Sequence, residues 1–220
     1  MSRIVIIGGH GKISQLLTTQ LVENGDTVVS VFRNADHSSE ISDLGAEPVV
    51  CDIETASVDD LVPIIEGADA VVFAAGAGPG SSAERKHTVD FEGSVKSAAA
   101  AQRAGVDRFV QVSAMGIDGE VDTGDDIWAA YVKAKRNADI ELKQTPLAWT
   151  ILRPGALTDN EPTGMVTLET ATGKGSIPRA DVAALIAAIL TFPESVGFTW
   201  EAISGETPIP AALAAAVSAG

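Results

Sequence analysis

At 220 residues, 45% of them hydrophobic, the chain is long enough to bury one sizeable core, and no linker-like stretch divides it, so a single domain over residues 1–220 is expected. A net charge of −15 argues against a polyanionic partner such as nucleic acid, whose phosphates most of the surface would repel. The longest apolar stretch, Val182 to Leu190, is too short to span a bilayer, and the single cysteine, Cys51, excludes an internal disulfide and fits a reducing compartment.

The chain opens on an apolar run, Met1 to Ile7, with no secretory pattern ahead of it, which predicts a cytoplasmic protein without a membrane partner. The run empties into Gly8-Gly9-His10-Gly11-Lys12-Ile13-Ser14, after which Ile13, Leu16, Leu17 and Leu21 repeat at helical spacing up to Asn24-Gly25. This is strand, glycine turn and helix. The free N–H groups and the dipole at such a helix start suit a phosphate. Two dinucleotide-binding registers fit, Gly9-x-Gly11-x-x-Ser14 and Gly8-x-x-Gly11-x-x-Ser14, both with serine at the third glycine. Gly8, Gly9, His10 (through its backbone), Gly11, Lys12 and Ile13 are the expected cofactor contacts.

Thr27 to Phe32 is β-branched and apolar, a second buried strand closed by Arg33-Asn34. NAD sites hold an acid near this point for the ribose 2′-OH, whereas an arginine accommodates a 2′-phosphate, so Arg33 favours NADP over NAD. A third strand, Glu47 to Ile53, ends in Asp52. Its carboxylate either binds an adenine amino group, with Ile53 packed on the ring, or caps the next helix. Ser57 to Asp60 has capping-box spacing, and Pro63 means that the helix starts late or is kinked. A fourth strand, Ala68 to Gly76, opens into the small residues Ala74-Ala75-Gly76, which let a flat ligand approach the backbone.

A Gly/Pro/Ser loop over 77–82 precedes a long helix, Ala83 to Ala104, whose Ala98 to Ala101 fits a close helix contact either within the chain or between subunits. Arg108 to Ser113 is a fifth strand. An acidic insert (Asp118, Glu120, Asp122, Asp125, Asp126) then leads to a helix beginning at Ile127. Leu147 to Leu152 is a sixth strand and runs into Arg153-Pro154-Gly155. Residues 156–178 show no period and are the segment left to cover a substrate. A helix from Arg179 to Phe192, a strand from Phe198 to Ile203 and a helix from Pro210 to Val217 complete the chain.

Strands alternating with helices give an α/β fold, a parallel sheet covered on both faces. In such sheets ligands bind beyond the carboxyl ends of the strands. The glycine turn, Arg33-Asn34, Asp52-Ile53, Ala74 to Gly76, Ser113 and Pro154-Gly155 all fall on that edge. Tyr131, the one tyrosine of the chain, lies four residues before Lys135, on one helix face. A tyrosine titrates at about 10, so the nearby ammonium is expected to lower it. Ser113 would hold a carbonyl oxygen while Tyr131 protonates it and hydride arrives at carbon.

These motifs resemble the atypical short-chain dehydrogenases/reductases: Gly8-Gly9-x-Gly11, Val31-Phe32-Arg33, Cys51-Asp52-Ile53, Ala74-Ala75-Gly76, Val112-Ser113-Ala114, Tyr131-x-x-x-Lys135 and Leu152-Arg153-Pro154-Gly155. The branch it resembles is the compact one of flavin and biliverdin reductases and bacterial proteins labelled sugar epimerases. The resemblance implies a Rossmann, doubly wound parallel sheet of about seven strands in the order 3-2-1-4-5-6-7, and a bound NADP.

The expected activity is NADP-dependent hydride transfer to a small or flat acceptor, a quinone, flavin or carbonyl compound. Ser113, Tyr131 and Lys135 are the catalytic candidates, with Lys135, Pro154 and Gly155 also toward cofactor. The alternative is an NmrA-like redox-sensing regulator that binds NADP without turnover, and after it an epimerase, for which the chain beyond Leu152 is short. His10, His37 and His87 lack metal-ligand spacing, so no metal is expected. The partner is a small-molecule substrate, and the protein is a monomer or small homo-oligomer.

Overall fold

β-Branched runs become strands and amphipathic runs become helices in regular alternation. The protein's structure, a computed structural model, describes residues 1–119 and 124–219. Its first half runs β1 (Arg3–Ile7), α1 (Lys12–Glu23), β2 (Thr27–Phe32), α2 (Ser38–Asp43), β3 (Glu47–Val50), α3 (Val58–Ile65), β4 (Ala70–Phe73) and α4 (Ala83–Arg85). A π-helical stretch, Lys86–Glu92, carries α4 into α5 (Gly93–Arg103). Then follow β5 (Arg108–Val112), α6 (Asp126–Lys143), β6 (Ala148–Pro154), β7 (Ala156–Thr158), β8 (Met165–Glu169), β9 (Ser176–Pro178), α7 (Arg179–Leu190), β10 (Thr199–Ser204), β11 (Thr207–Pro208) and α8 (Ile209–Ser218).

The main sheet has the order β11-β8-β10-β6-β5-β4-β1-β2-β3. From β10 to β3 every pairing is parallel, and those seven strands have the expected order 3-2-1-4-5-6-7. The inner strands β1, β2, β4, β5 and β6 have both faces covered, whereas Glu47 and Val50 of the edge strand β3 are exposed. Ile4 and Ile6 of β1 pack with Leu17 and Leu21 of α1 and Ile186 and Ile189 of α7. Val5 and Ile7 pack with Leu61 and Ile65 of α3 and Ala98 and Ala101 of α5. Side chains two apart on β1 thus serve one core and their neighbours the other. Ala98, Ala100 and Ala101 of α5 are buried within this chain, and Ala99 is partly buried.

Residues 156–178 differ from the loop expected of them. β8 pairs antiparallel with β10 and β11 with β8, while β7 and β9 form a separate parallel pair. These strands are three to five residues long, or two for β11, too short to show a period against their Gly, Thr and Pro neighbours. α3 starts directly at its Ser57 cap, with a complete capping box to Asp60, and runs through Pro63.

A chain of buried polar groups ties the second core together. Ser94 Oγ donates to Gln111 Oε1, Gln111 Nε2 donates to Asp139 Oδ1 at 2.7 Å, and Arg153 Nε donates to Asp139 Oδ2 at 2.8 Å. The outer guanidinium nitrogens of Arg153 reach Asp118 at 2.5 and 3.2 Å. Arg153 therefore neutralises the buried Asp139 and anchors the loop that follows β5. Replacing it with methionine strands the Asp139 charge, so Arg153→Met should lose about 3–5 kcal/mol of stability in urea unfolding; a loss below about 1 kcal/mol, the range of exposed pairs, would contradict this.

Candidate functional site

β1 lies between β2 and β4, where the strand order reverses, and its carboxyl end opens the crevice of such a sheet. The turn that leaves it is fixed by backbone hydrogen bonds. Gly8 N and Gly9 N both donate to Val31 O, at 2.9 and 2.8 Å, and Gly11 N donates to Gly8 O at 2.9 Å. Gly8 has a φ of +90°, and a Cβ there would stand 2.5 Å from Ala75 Cα; one on Gly9 would stand 2.6 Å from Ser30 Cβ. Both positions admit glycine only. No side chain caps α1, so its first N–H groups are left for a ligand.

A cleft of about 310 Å³ runs from this turn along the sheet edge. Gly8, His10 and Gly11 line it, with Arg33 and Asn34 after β2, Asp52 and Ile53 after β3, and Ala74, Ala75 and Gly76 after β4. Four separate sequence motifs thus meet in one cavity. Others of the expected contacts lie elsewhere. Gly9 packs on β2, Lys12 Nζ pairs with Asp159 at 2.7 Å, and Ile13 joins the core. Pro154 O accepts from Met115 N at 3.2 Å, and a Cβ on Gly155 would meet Gly175 O at 2.5 Å, so both make close backbone packing. Ser14, at the third-glycine position, is fully buried.

The cleft also contains residues that sequence reasoning passed over. Glu54 accepts from Arg85 at 2.7 and 3.0 Å and from Thr88 at 2.7 Å, and more loosely from Arg33 at 3.4 Å. The Arg85 hydrogen bond is the main reason that its carboxyl titrates below the usual range. Asp52 does not cap α3, which Ser57 does; its Oδ1 accepts from Glu54 N at 3.0 Å. Cys51 is only half-buried and lines the cleft, with its thiol pushed up by burial and by Asp60 and Asp52. The His10 side chain leaves the turn and stacks on His37, ring centroids 3.5 Å apart.

Ser113, Tyr131 and Lys135 stand beyond Gly76 and do not line this cleft. Asp90 connects the two regions: its Oδ2 accepts from Ala77 N at 3.1 Å and its Oδ1 lies 3.3 Å from Lys135 Nζ. Lys135 Nζ also donates to Val112 O at 3.2 Å, directly before Ser113. The Ser113 hydroxyl is buried without a protein partner. Above the pair, the Tyr131 ring is covered by Lys86 Nζ at 5.2 Å and by Trp128 at 5.4 Å.

The electrostatics correct one expectation. Burial opposes the Lys135 ammonium, but Asp90, with Tyr131 and Asp139, outweighs it and holds the group charged above its usual range. Tyr131 is not lowered. Burial raises it, and Asp90 and Asp139 add to that against the pull of Lys135. The lysine is already neutralised by Asp90, so the tyrosine is a phenol rather than a phenolate. Of the acidic insert, Asp118 serves Arg153 and Asp125 accepts from the N–H groups of Ile127 and Trp128 at the start of α6; Glu120 and Asp122 lie outside the described residues.

The profile of NAD(P)H-binding proteins matches residues 8–193. UPF0659 protein YMR090W of Saccharomyces cerevisiae is 36% identical, covering 94% of this chain and 95% of the yeast protein. The Bacillus subtilis protein named "Uncharacterized sugar epimerase YhfK" is 31% identical over 96% of this chain and 98% of its own. Among solved structures, the oxidoreductase ylbE of Lactococcus lactis superposes with a TM-score of 0.85 at 26% identity, covering 98% of this chain and 97% of that one.

Because Tyr131 is the sole tyrosine, an ultraviolet titration of phenol ionisation reads it directly. Asp90→Asn removes a charge that raises Tyr131 and frees Lys135 to lower it. The midpoint should move to lower pH than in the wild type; an unchanged or higher midpoint would show that Asp90 does not control this site.

Proposed function

The chain belongs to the NAD(P)H-binding family, and from that premise we propose that it is an NADP-dependent reductase acting on a small or flat acceptor, a quinone, flavin or carbonyl compound. The observation that carries this reading is the buried Asp90–Lys135 pair beside a protonated Tyr131 and an unpartnered Ser113 hydroxyl, adjoining a glycine-floored cleft.

The residues present fit a dinucleotide: a cradle that a Cβ on Gly8 would fill, an uncapped helix start and arginines further along the cleft. The bound reduced cofactor supplies the hydride. Ser113 Oγ holds the acceptor oxygen by hydrogen bond, and Tyr131, kept neutral by its surroundings, delivers the proton to that oxygen. Lys135 remains charged, held by Asp90 and Val112 O, and would help to hold the cofactor. Arg33 takes the 2′-phosphate. Its 3.4 Å contact is the longest that Glu54 makes, and Arg85 and Thr88 still satisfy that carboxylate when Arg33 turns away.

An enzyme of this kind works with a small-molecule substrate in the cytoplasm, without nucleic acid or membrane. Among the described residues no helix is long and apolar enough to cross a membrane. A nucleotide sugar is a poorer substrate, because an acidic surface repels an anion.

Two substitutions test the assignment. Tyr131→Phe should lower kcat toward a quinone or carbonyl acceptor by about 10²–10⁴-fold, the range of a lost general acid, with nucleotide affinity retained; undiminished turnover would remove the proton-donor role. Arg33→Ala should weaken NADPH by about tenfold, as expected for one charge-assisted contact, and leave NADH unchanged. Equal losses for both nucleotides would end the 2′-phosphate assignment.

A further inference from the structure

His10 and His37 are 27 positions apart and belong to different elements, one in the glycine turn and the other just before α2. The fold stacks their rings and places Glu40, from the first turn of α2, against both. Glu40 Oε2 lies 2.9 Å from His10 Nε2 and 3.9 Å from His37 Nδ1, and one donor atom from each residue falls within 4.8 Å of the others. We propose that His10, His37 and Glu40 form a binding site for a divalent transition-metal ion of the zinc class, which staples the glycine turn to α2.

The donor set has the chemistry for it. Two imidazole nitrogens and one carboxylate oxygen suit zinc, cobalt or nickel and discriminate against magnesium and calcium, which prefer all-oxygen shells. Around a tetrahedral zinc, with bonds of about 2.0–2.1 Å, neighbouring donors stand about 3.3 Å apart. The two measured contacts of Glu40 bracket that spacing. A metal lies in the plane of each imidazole that ligates it, so the rings must swing out of their parallel stack, and both are partly exposed and able to turn. Water completes the open positions.

Without a metal the arrangement uses its groups poorly. One carboxylate oxygen serves two imidazoles, one at hydrogen-bond distance and the other beyond it. The third histidine, His87, pairs with Glu92 at 3.1 Å on the π-helical stretch, and no third ligand joins it among the described residues. It provides an internal control.

The test is titration of the metal-stripped, tag-free protein with Co²⁺, read by visible absorption, and with Zn²⁺, read by calorimetry and by thermal melting. One Co²⁺ should bind per chain with the visible bands of nitrogen and oxygen ligation. Zn²⁺ should raise the melting temperature, and acid should weaken both because the imidazoles must be deprotonated. His37→Ala and Glu40→Gln, each at an exposed or partly exposed position, should lose the bands and weaken binding by at least about tenfold, a loss that even changes outside the ligand set can produce. His87→Ala should match the wild type. Absence of Co²⁺ bands, or wild-type affinity in His37→Ala and Glu40→Gln, would overturn the proposal; neither result depends on nucleotide binding or turnover.

Discussion

Everything in this molecule hangs on how closely one turn approaches two strands. The residues after β1 must leave the sheet between β2 and β4, and the space there is the thickness of a backbone. A Cβ on Gly8 would collide with the backbone of Ala75, and one on Gly9 with Ser30, so the turn is seated by two glycines and two bonds to Val31 O. Because it is seated so low, the turn lines the cleft at the start of α1, where no side chain caps the helix. The same contact explains why small residues follow β4. Ala74, Ala75 and Gly76 serve both the turn above them and any flat ligand lying on them.

The alternation of strands and helices and the edge that holds the cleft were legible because they rest on signals local in sequence, whereas the sheet order came with the family resemblance. Strand β1 is Ile-Val-Ile-Ile with both faces buried, and nothing but a doubly covered strand uses such a run well. Gly8, Arg33, Asp52 and Gly76 are each the first special residues after a strand, so strand ends alone placed them on one edge. The Ser57 capping-box spacing was also visible, but Pro63 argued for a late or kinked start that the helix does not make. The short strands β7, β8 and β9 were not, because pairing rather than propensity makes them. β8 exists through its partners β10 and β11, such as Glu169 opposite Glu201 and Val166 opposite Thr207, and no local pattern records partners so far along the chain.

Charge at the site was less legible than position, for a related reason. Tyr131 and Lys135 are visible as a pair four apart on a helix, and taken alone the pair implies a lowered phenol. The carboxylate that reverses this, Asp90, comes from another element and is almost fully buried. The molecule as a whole carries −15, yet the cleft gathers Arg33 and Arg85 around Glu54, so an anion meets local cations on an otherwise repelling surface. The net charge describes the surface, and the cleft is an exception to it.

The π-helical stretch Lys86–Glu92 is where these threads join. An α-helix advances one hundred degrees per residue, and a wider turn resets which side chains face inward. Here it buries Lys86, Val89 and Asp90 within a few residues. Lys86 donates to Gly78 O at 2.7 Å and covers Tyr131, Val89 lines the cleft, and Asp90 holds both Ala77 and Lys135. A regular helix over the same residues would present a different set. Since Arg85, directly before this stretch, and Thr88, within it, fix Glu54, one local widening aligns both the arginine end of the cleft and the tyrosine beyond it. An apolar periodicity cannot reveal such a shift, because two of the three residues it turns inward, Lys86 and Asp90, are charged.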